Sequence, residues 1–329
     1  MVRLALALGL GSGLLLAGCG RTGTQSVFEA KIQLERPAVL TVDPDNQLPV
    51  VMADLDGAQI PFLVDTGASI TTIHLARAEE HGLFVGPYSD RGIITGSGGG
   101  SIQYESYAAA DRMSLGELTL ENVRLPALEI ELFEDVAFGG IIGQDLLVRL
   151  VLVIDMTRGE LHLLPPDHSG GEEVQAYLGE AAIAGGTWIQ APIELRPCPF
   201  LEITHEDVSV GEIEIDTGAS GTSLAVRTID ALELEPIGTR TSMGIDGERE
   251  GTTYALEDFG LYGFSISTEV KAAATDYGLL GMNVLGQFVF VVDGPASLFW
   301  LHHRELAESE GGDDDGAELE DEEPSREGE

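Results

Sequence analysis

Two strand-like runs of apolar or alternating residues lie far apart in the chain, and both lead into the same five-residue motif. Residues 62–64 precede Asp65-Thr66-Gly67-Ala68-Ser69, and residues 213–215 precede Asp216-Thr217-Gly218-Ala219-Ser220. Such runs are typical of β-strands, and Asp and Gly are residues that tight turns favour. We therefore predict that each aspartate lies on a turn at the end of a strand. One Asp-Thr-Gly turn says little about function, whereas an identical pair indicates a shared role.

The similarity continues beyond these motifs, as a duplicated fold requires. Gly140-Ile141-Ile142-Gly143 matches Gly278-Leu279-Leu280-Gly281, and without a gap residues 151–155 match residues 289–293. The two copies are offset by 151 residues at the aspartates (65 to 216) and by 138 at the second motif (140 to 278). The second copy has therefore lost about 13 residues between its motifs. The sequence predicts one unit that occurs twice.

Shorter patterns predict the elements around the first aspartate. Asp56-Gly57 is a hairpin signal that precedes the Asp65 strand. Residues 75–81 predict a short helix that Gly82 ends.

These paired motifs resemble those of the retropepsin-like and pepsin-like aspartic proteases. The resemblance covers most of residues 28–304, and residues 115–120 are similar to a hairpin of the bacterial members. It implies an all-β fold with two similar retropepsin-like acid-protease β-barrel lobes and the active site between them. One chain supplies both lobes, as in pepsin-like members, although lobes this short are closer to the retroviral and bacterial type.

Two aspartates brought together in this way have a recognisable chemistry. Carboxylates a few ångströms apart share a proton, so one can take a proton from water while the other donates to a peptide carbonyl. We expect Asp65 and Asp216 to be the catalytic pair, and Gly67 and Gly218 to allow close approach of backbone and substrate. The resemblance further implies that Thr66 and Thr217 bond across to the opposite loop, and that Ser69 and Ser220 orient the outer carboxylate oxygens. Residues 141–143 and 279–281 would brace the aspartate loops, and Asp145, Asn283, Asp155 and Asp293 are interpreted as turn caps outside the site.

Glycine-rich segments between the motifs of each copy occupy the place of the family's flap, the mobile hairpin that closes over substrate. The candidate flap residues are Gly96, Ser97 and Gly98 in the first copy and Gly244 and Ile245 in the second. Plain glycine turns are the alternative. Neither segment contains the flap tyrosine of pepsin-like enzymes, and the shorter second copy indicates an asymmetric cleft.

The chain begins with one charged residue, Arg3, an apolar stretch over residues 4–16, and then Leu16-Ala17-Gly18-Cys19. This length suits a secretory signal better than a spanning helix. Leu-Ala-Gly-Cys also resembles a bacterial lipobox, which implies cleavage before Cys19 and acylation of that residue. Gly20 then fits delivery to the outer membrane, so we expect a lipid-anchored protein of the bacterial cell envelope that faces the periplasm. An ordinary cleaved signal is the alternative.

Composition limits the partners. The net charge is −39, of which residues 305–329 contribute −12 through 13 acidic residues and one arginine. With +1 from Arg3, the body retains −28, which disfavours binding to nucleic acid. No metal-binding motif of the His-Glu-x-x-His type occurs, and we expect neither metal nor cofactor. If Cys19 is acylated, Cys198 is unpaired, and a buried, inert thiol is the interpretation we favour.

The predicted organisation follows from these patterns. The segments are a signal peptide (1–18), a tether (19–27), an N-terminal lobe (28–165), a linker (166–186), a C-terminal lobe (187–304) and an acidic disordered tail (305–329). The function that the sequence favours is an aspartic endopeptidase acting on a peptide or protein substrate, as a monomer whose lobes pair within the chain. The alternative is a peptide-binding pseudoprotease or envelope scaffold without turnover.

Overall fold

A computed structural model describes residues 14–15, 30–96, 101–129, 138–181, 183, 188–205, 208–244, 247–261 and 264–303. The predicted sites Cys19, Ser97, Gly98 and Ile245 and the tail 305–329 lie outside these residues. Among the described helices, none has the length and apolar character needed to cross a membrane.

Strands dominate the described chain. The first half contains β1 Leu14–Leu15, β2 Lys31–Gln33, β3 Ala38–Thr41, β4 Val50–Leu55, β5 Ala58–Val64, β6 Thr72–His74, β7 Phe84–Gly96, β8 Ser101–Leu115, β9 Leu118–Leu128, β10 Gly140–Ile142, β11 Val151–Asp155 and β12 Glu160–Leu164. The second half contains β13 Ile189–Pro192, β14 Glu194–Leu195, β15 Pro199–His205, β16 Val208–Ile215, β17 Ser223–Leu224, β18 Pro236–Gly244, β19 Gly247–Leu261, β20 Phe264–Ala272, β21 Gly278–Leu280, β22 Phe288–Asp293 and β23 Leu298–His303. The helices are short: α1 Leu75–Glu80, α2 Gln144–Leu147, α3 Gly171–Glu180, α4 Val226–Ala231 and α5 Met282–Leu285, with a 3₁₀ turn at Pro166–His168.

The first lobe is a closed six-stranded barrel. Its strands follow the order β4-β5-β10-β6-β9-β8, and a pairing between β8 and β4 closes the ring, with Leu55 opposite Met113. Strand β10 runs parallel to β5 and antiparallel to β6. Closure removes the free sheet edges, and inward side chains such as Leu55 and Met113 fill the interior.

The second lobe repeats this strand order. Its sheet runs β14-β15-β16-β21-β17-β20-β19-β18, and from β15 onward it matches β4-β5-β10-β6-β9-β8-β7 of the first lobe strand by strand. The parallel pairs also correspond, since β21 lies along β16 as β10 lies along β5. The predicted duplication and the predicted two-lobed all-β fold are therefore confirmed. Within the described strands, the closing pair that β4 and β8 make has no counterpart in the second lobe.

A third sheet joins the two lobes. It has the order β13-β23-β22-β11-β12-β3, so that three strands come from each half of the chain. Its centre is the antiparallel pair of β11 and β22, the last repeated segment of each copy. All residues of β11 and β22 are buried, because the sheet is covered on both faces. This explains why these segments are continuous apolar runs instead of alternating ones.

The predicted linker contains ordered elements that cover this third sheet. Helix α3 buries Val174 and Leu178 against Val151, Val291 and Trp300. The segment therefore does more than connect the lobes, because its helix covers one face of the sheet that joins them.

The smaller predicted elements are also present. Asp56 and Gly57 have φ angles of 52° and 93°, as a tight hairpin turn between β4 and β5 requires. Helix α1 falls within the predicted residues 75–81. Strands β8 and β9 form the predicted hairpin at residues 115–120.

Candidate active site

Each aspartate follows the strand that carries its motif. Asp65 comes directly after β5, and Asp216 comes directly after β16. The Asp65 N–H donates to the Ile142 carbonyl at 3.0 Å, and the Asp216 N–H donates to the Leu280 carbonyl at 3.1 Å. The segments predicted to brace the aspartate loops thus hold both aspartates by equivalent bonds.

Backbone N–H groups fix one oxygen of each carboxyl group. Asp65 Oδ1 accepts bonds from the N–H groups of Gly67 and Ala68, at 2.8 and 3.1 Å. In the second loop, Asp216 Oδ1 accepts the equivalent bonds at 2.9 and 3.0 Å. Each turn therefore orients its own carboxyl group with two amides.

The two carboxyl groups face each other across the glycines. A Cβ atom on Gly67 would lie 2.6 Å from Asp216 Cγ, and one on Gly218 would lie 2.3 Å from Asp65 Cγ. Real Cβ atoms do not approach carboxyl carbons so closely, so both positions require glycine. The two aspartates predicted from the sequence therefore meet in one buried pair.

The two threonines lock the loops together. Thr66 Oγ1 donates to the Ile215 carbonyl at 2.6 Å and accepts from the Thr217 N–H at 3.1 Å. Thr217 Oγ1 donates to the Val64 carbonyl at 2.6 Å and accepts from the Thr66 N–H at 3.0 Å. Both hydroxyls bond across to the opposite loop, as the resemblance implied.

Ser69 differs from the expectation. Among the described residues, the buried Ser69 Oγ has no hydrogen-bond partner, so it does not orient the outer oxygen of Asp65. Ser220 is buried in the corresponding loop and lines the cavity beside Asp216. The carbonyls of both serines accept bonds from the N–H groups of Asp145 and Asn283, at 3.1 and 3.2 Å.

Asp145 and Asn283 brace the loops from behind, consistent with their interpretation as structural residues. Thr71 Oγ1 donates to Asp145 Oδ1 at 2.6 Å, and Thr222 Oγ1 donates to Asn283 Oδ1 at 2.7 Å. Burial raises the pKa of Asp145 to about 6. The first lobe also has a bond without a counterpart, from Gln144 Nε2 to the Thr66 carbonyl at 3.0 Å.

Asp155 and Asp293 cap turns at the ends of their strands, as interpreted. Asp155 Oδ1 accepts from the Arg158 N–H at 3.0 Å, and Asp293 Oδ1 accepts from the Ala296 N–H at 3.0 Å. Neither carboxyl group belongs to the aspartate pair.

The electrostatics of the pair favour a shared proton. Burial raises the pKa of Asp65 well above its ordinary value of 3.8, and the adjacent Asp216 carboxyl raises it further, against the two backbone N–H bonds. Two carboxyl groups this close titrate as one coupled unit. Over the range in which the pair holds one proton, it contains a carboxylate that can accept a proton and a carboxylic acid that can donate one.

A third carboxyl group beside the pair was missed by the sequence analysis. Glu214 is fully buried beside the Cys198 thiol, and neither of its carboxyl oxygens accepts a bond from an N–H or hydroxyl group of the described chain. Burial raises its pKa well above the ordinary 4.5, with a further contribution from Asp216. The first copy has Leu63 at the equivalent position, and this difference between the copies was the available signal.

Cys198 lies in the same buried region. Its thiol donates to the Gly67 carbonyl at 3.3 Å, and burial raises its pKa well above the ordinary value of 9.0, with Glu214 adding to the effect. The thiol is buried, as predicted, and its environment opposes formation of a thiolate.

The predicted flap residues that the structure describes lie at hairpin ends. Gly96 is the last residue of β7, and Gly244 is the last residue of β18. The first hairpin also carries a cluster of Tyr88, Tyr104 and Tyr107, with ring centroids 5.3 and 5.4 Å from that of Tyr88. The glycine pattern pointed only to the hairpin tips, so this aromatic cluster was not predicted from the sequence.

Two cavities, among those of the described part of the protein, differ in which loops line them. The larger, about 830 Å³, lies around Leu55, His81 and Arg124 of the first lobe, and none of its lining residues belongs to an aspartate loop. The other, about 620 Å³, is lined by Ser220 and the residues that follow it, beside Asp216. The second cavity is therefore the one adjoining the candidate site.

Comparison with known families agrees with this geometry. No curated protein matches the chain. The family model for aspartyl proteases matches residues 51–146 and 201–287, more than half of the chain, and each matched region contains one Asp-Thr-Gly loop and its bracing segment. The protein therefore belongs to the aspartyl protease family.

Proposed function

We propose that this protein is an aspartic endopeptidase that hydrolyses peptide bonds with a water molecule activated between Asp65 and Asp216. The observation that carries the proposal is the contact of the two carboxyl groups across Gly67 and Gly218, where a single methyl group would not fit. A protein that only binds peptides has no need for two buried carboxyl groups sharing one small space, because burying them is costly.

The reaction follows from the shared proton. The ionised carboxyl group takes a proton from water as the water oxygen attacks the carbonyl carbon, and the protonated carboxyl group donates to the carbonyl oxygen. The tetrahedral intermediate then breaks its C–N bond: the amine nitrogen receives a proton from the pair, and a hydroxyl group of the intermediate returns a proton to the pair as the carboxylic acid forms. No bond to the protein forms, and one proton remains on the pair at the end of the cycle.

The surrounding residues keep the pair ready for this chemistry. The threonine bonds between the loops hold the two carboxyl groups at a fixed separation, and the Gly67, Ala68, Gly218 and Ala219 amides fix their orientation. Such positioning before substrate binds lowers the barrier, since little reorganisation is left for the reaction step. The hairpins β7–β8 and β18–β19 would close over an extended peptide.

The test is cleavage of a mixed peptide library between pH 3 and pH 8 by the soluble chain from residue 20 onward. We expect wild type to cut, and Asp65→Asn and Asp216→Asn each to lose all activity while remaining folded by circular dichroism. Asp230→Asn, at an exposed helical position, is the matched control and should cut normally. A folded wild type that cuts nothing, or cutting that survives both pair variants, would refute the proposal and favour a peptide-binding role.

We also propose that the mature chain is a monomer anchored by acylated Cys19 in the bacterial outer membrane, facing the periplasm. The support is the run Leu16-Ala17-Gly18-Cys19 after an apolar segment. Labelled palmitate should be incorporated into wild type and not into Cys19→Ser, and the label should fractionate with the outer membrane. Incorporation into the Cys19→Ser variant would contradict this assignment.

A further inference from the structure

The cavity beside Asp216 is formed by both lobes. Ser220 and Thr222, which follow the aspartate within six residues, line one side, and strands β18, β19 and β20 line another. Gln47 of the first lobe completes the lining. At about 620 Å³ the cavity can hold a side chain of a peptide that lies across the aspartate pair.

Three basic side chains lie on one face of the sheet that lines this cavity. Arg240 pairs with Gly251, Arg249 precedes Gly251 by two positions, and Lys271 pairs with Thr253, two positions after it. Because alternate residues of a strand share a face, the register puts all three on the same side. All three line the cavity.

The Lys271 side chain is held in position across a neighbouring strand. Its Nζ donates to Ser242 Oγ at 2.6 Å and to the Arg249 carbonyl at 2.8 Å. A Cβ on Gly251 would lie 2.1 Å from Lys271 Cε. The lysine side chain can therefore cross β19 only because Gly251 has no side chain. An ammonium group has three N–H donors, and these two bonds leave one for a ligand.

Two of the three cations in the cavity lack an ion-pair partner among the described residues, although the protein is rich in carboxylates. The chain has 56 acidic residues against 17 Lys and Arg, yet neither Arg240 nor Lys271 forms an ion pair within the described residues. Glu269 lines the cavity on the same face, while the Glu250 carboxylate accepts a bond from Thr239 on the other face. Burial and the two arginines lower the pKa of Lys271, so a bound anion would relieve their mutual repulsion.

We infer that this cavity is a substrate subsite that binds an acidic side chain of the peptide, a few residues from the scissile bond. The inference rests on the proposed peptidase function and adds its substrate class. The first-lobe hairpin has tyrosines instead, with Tyr104 opposite Gly92, so the acidic preference applies to one side of the cleft only. Carboxylates bind Lys and Arg through charge-assisted hydrogen bonds, which are stronger than neutral ones.

The test compares pairs of peptides that are identical except for one position, which is Glu in one peptide and Gln in the other. That position is moved in turn to each site around the scissile bond. Wild type should cleave the Glu peptide with a kcat/KM on the order of ten-fold higher at one position, and this preference should fall with added salt. Arg240→Gln and Lys271→Met should each reduce the preference several-fold. Arg227→Gln, which removes an exposed cation from α4 outside the cavity, should leave it unchanged.

Two variants are needed because the Lys271 side chain also joins neighbouring strands, whereas the exposed Arg240 side chain has no hydrogen bond or ion pair among the described residues. Equal cleavage of Glu and Gln peptides at every position, or a preference that both variants retain, overturns the inference. If wild type cleaves no peptide, the proposed function fails separately. In that case the same Glu and Gln peptides are compared by equilibrium binding to wild type and Arg240→Gln, and equal affinities overturn the subsite.

Discussion

Glu214 offers a sharp test of how burial controls ionisation in this site. Its carboxyl group is buried beside Asp216 and the Cys198 thiol. In the unfolded chain this group ionises near its ordinary pKa of 4.5, whereas the folded protein holds the proton to a higher pH. Between these two values the folded state binds more protons than the unfolded state. Stability from this group is therefore complete below pH 4.5 and is lost as the pH rises through the raised pKa.

The size of the effect follows from linkage. One proton difference changes the free energy of unfolding by about 1.4 kcal/mol per pH unit. Glu214→Gln cannot ionise, so this pH dependence is removed. Above pH 4.5 the free energy of unfolding of the variant should therefore fall less steeply than that of wild type, by about 1.4 kcal/mol per pH unit. Glu214→Leu should show the same change in slope. It should also be more stable at every pH by about 1 to 3 kcal/mol, because an apolar side chain replaces a buried carboxyl group that no N–H or hydroxyl group satisfies.

The assay is urea unfolding of the soluble chain at several pH values between 4 and 7. The exposed Glu248→Gln on β19 is the matched control, and its stability should run parallel to that of wild type. Leucine already occupies the equivalent position of the first copy, at Leu63, so the leucine variant should fold. Identical pH slopes for wild type and Glu214→Gln would refute the reasoning, since they would show that Glu214 ionises in the folded protein as it does in the unfolded one.

Four further predictions follow from the site. Gly218→Ala should abolish peptide cleavage, because its Cβ would lie 2.3 Å from Asp65 Cγ; cleavage at the wild-type rate would contradict this contact. Thr66→Val should lower the free energy of unfolding by about 2 to 4 kcal/mol in urea, since two buried backbone groups lose their partner, and a loss under about 0.5 kcal/mol would argue against the lock. Between pH 4 and 6 the stability of wild type should decline, because the pKa of Asp145 is about 6 in the folded protein and near 3.8 in the unfolded chain. Asp145→Asn, which introduces the residue that the second copy has at this position, should remove this decline. A variant with the same pH profile of stability as wild type would contradict the prediction. Cys198 should react with a thiol reagent only after unfolding, and rapid reaction of the folded chain from residue 20 onward would show that the thiol is accessible.

Much of the site could be predicted because its chemistry is local in sequence. A strand followed by Asp-Thr-Gly specifies a carboxyl group on a tight turn, and the second copy of the motif specifies its partner. The threonine bonds also followed from the resemblance and are present in both directions. The role expected of Ser69 was wrong, because its buried hydroxyl makes no hydrogen bond to the pair among the described residues.

The remaining features depend on contacts between residues that are distant in sequence. Ile213-Glu214-Ile215 alternates as a half-exposed strand does, yet β16 is buried here on both faces, which places a carboxyl group beside Asp216. The Pro, Gly and acidic residues of the linker segment predicted a connection between the lobes. Its helix depends instead on packing against the third sheet. Local composition carries no information about which surface such a segment will cover.

By itself, the sequence determined the duplication, the two-lobed β-fold and the identity of the aspartate pair. All three features follow from repeated motifs and from the spacing of apolar residues along strands, which backbone geometry sets. Only the tertiary structure decided that Glu214 is buried, that Lys271 crosses Gly251, and that three basic side chains line one cavity beside Asp216. Strand register and lobe packing bring these residues together, and both depend on long-range contacts that no single stretch of the chain contains.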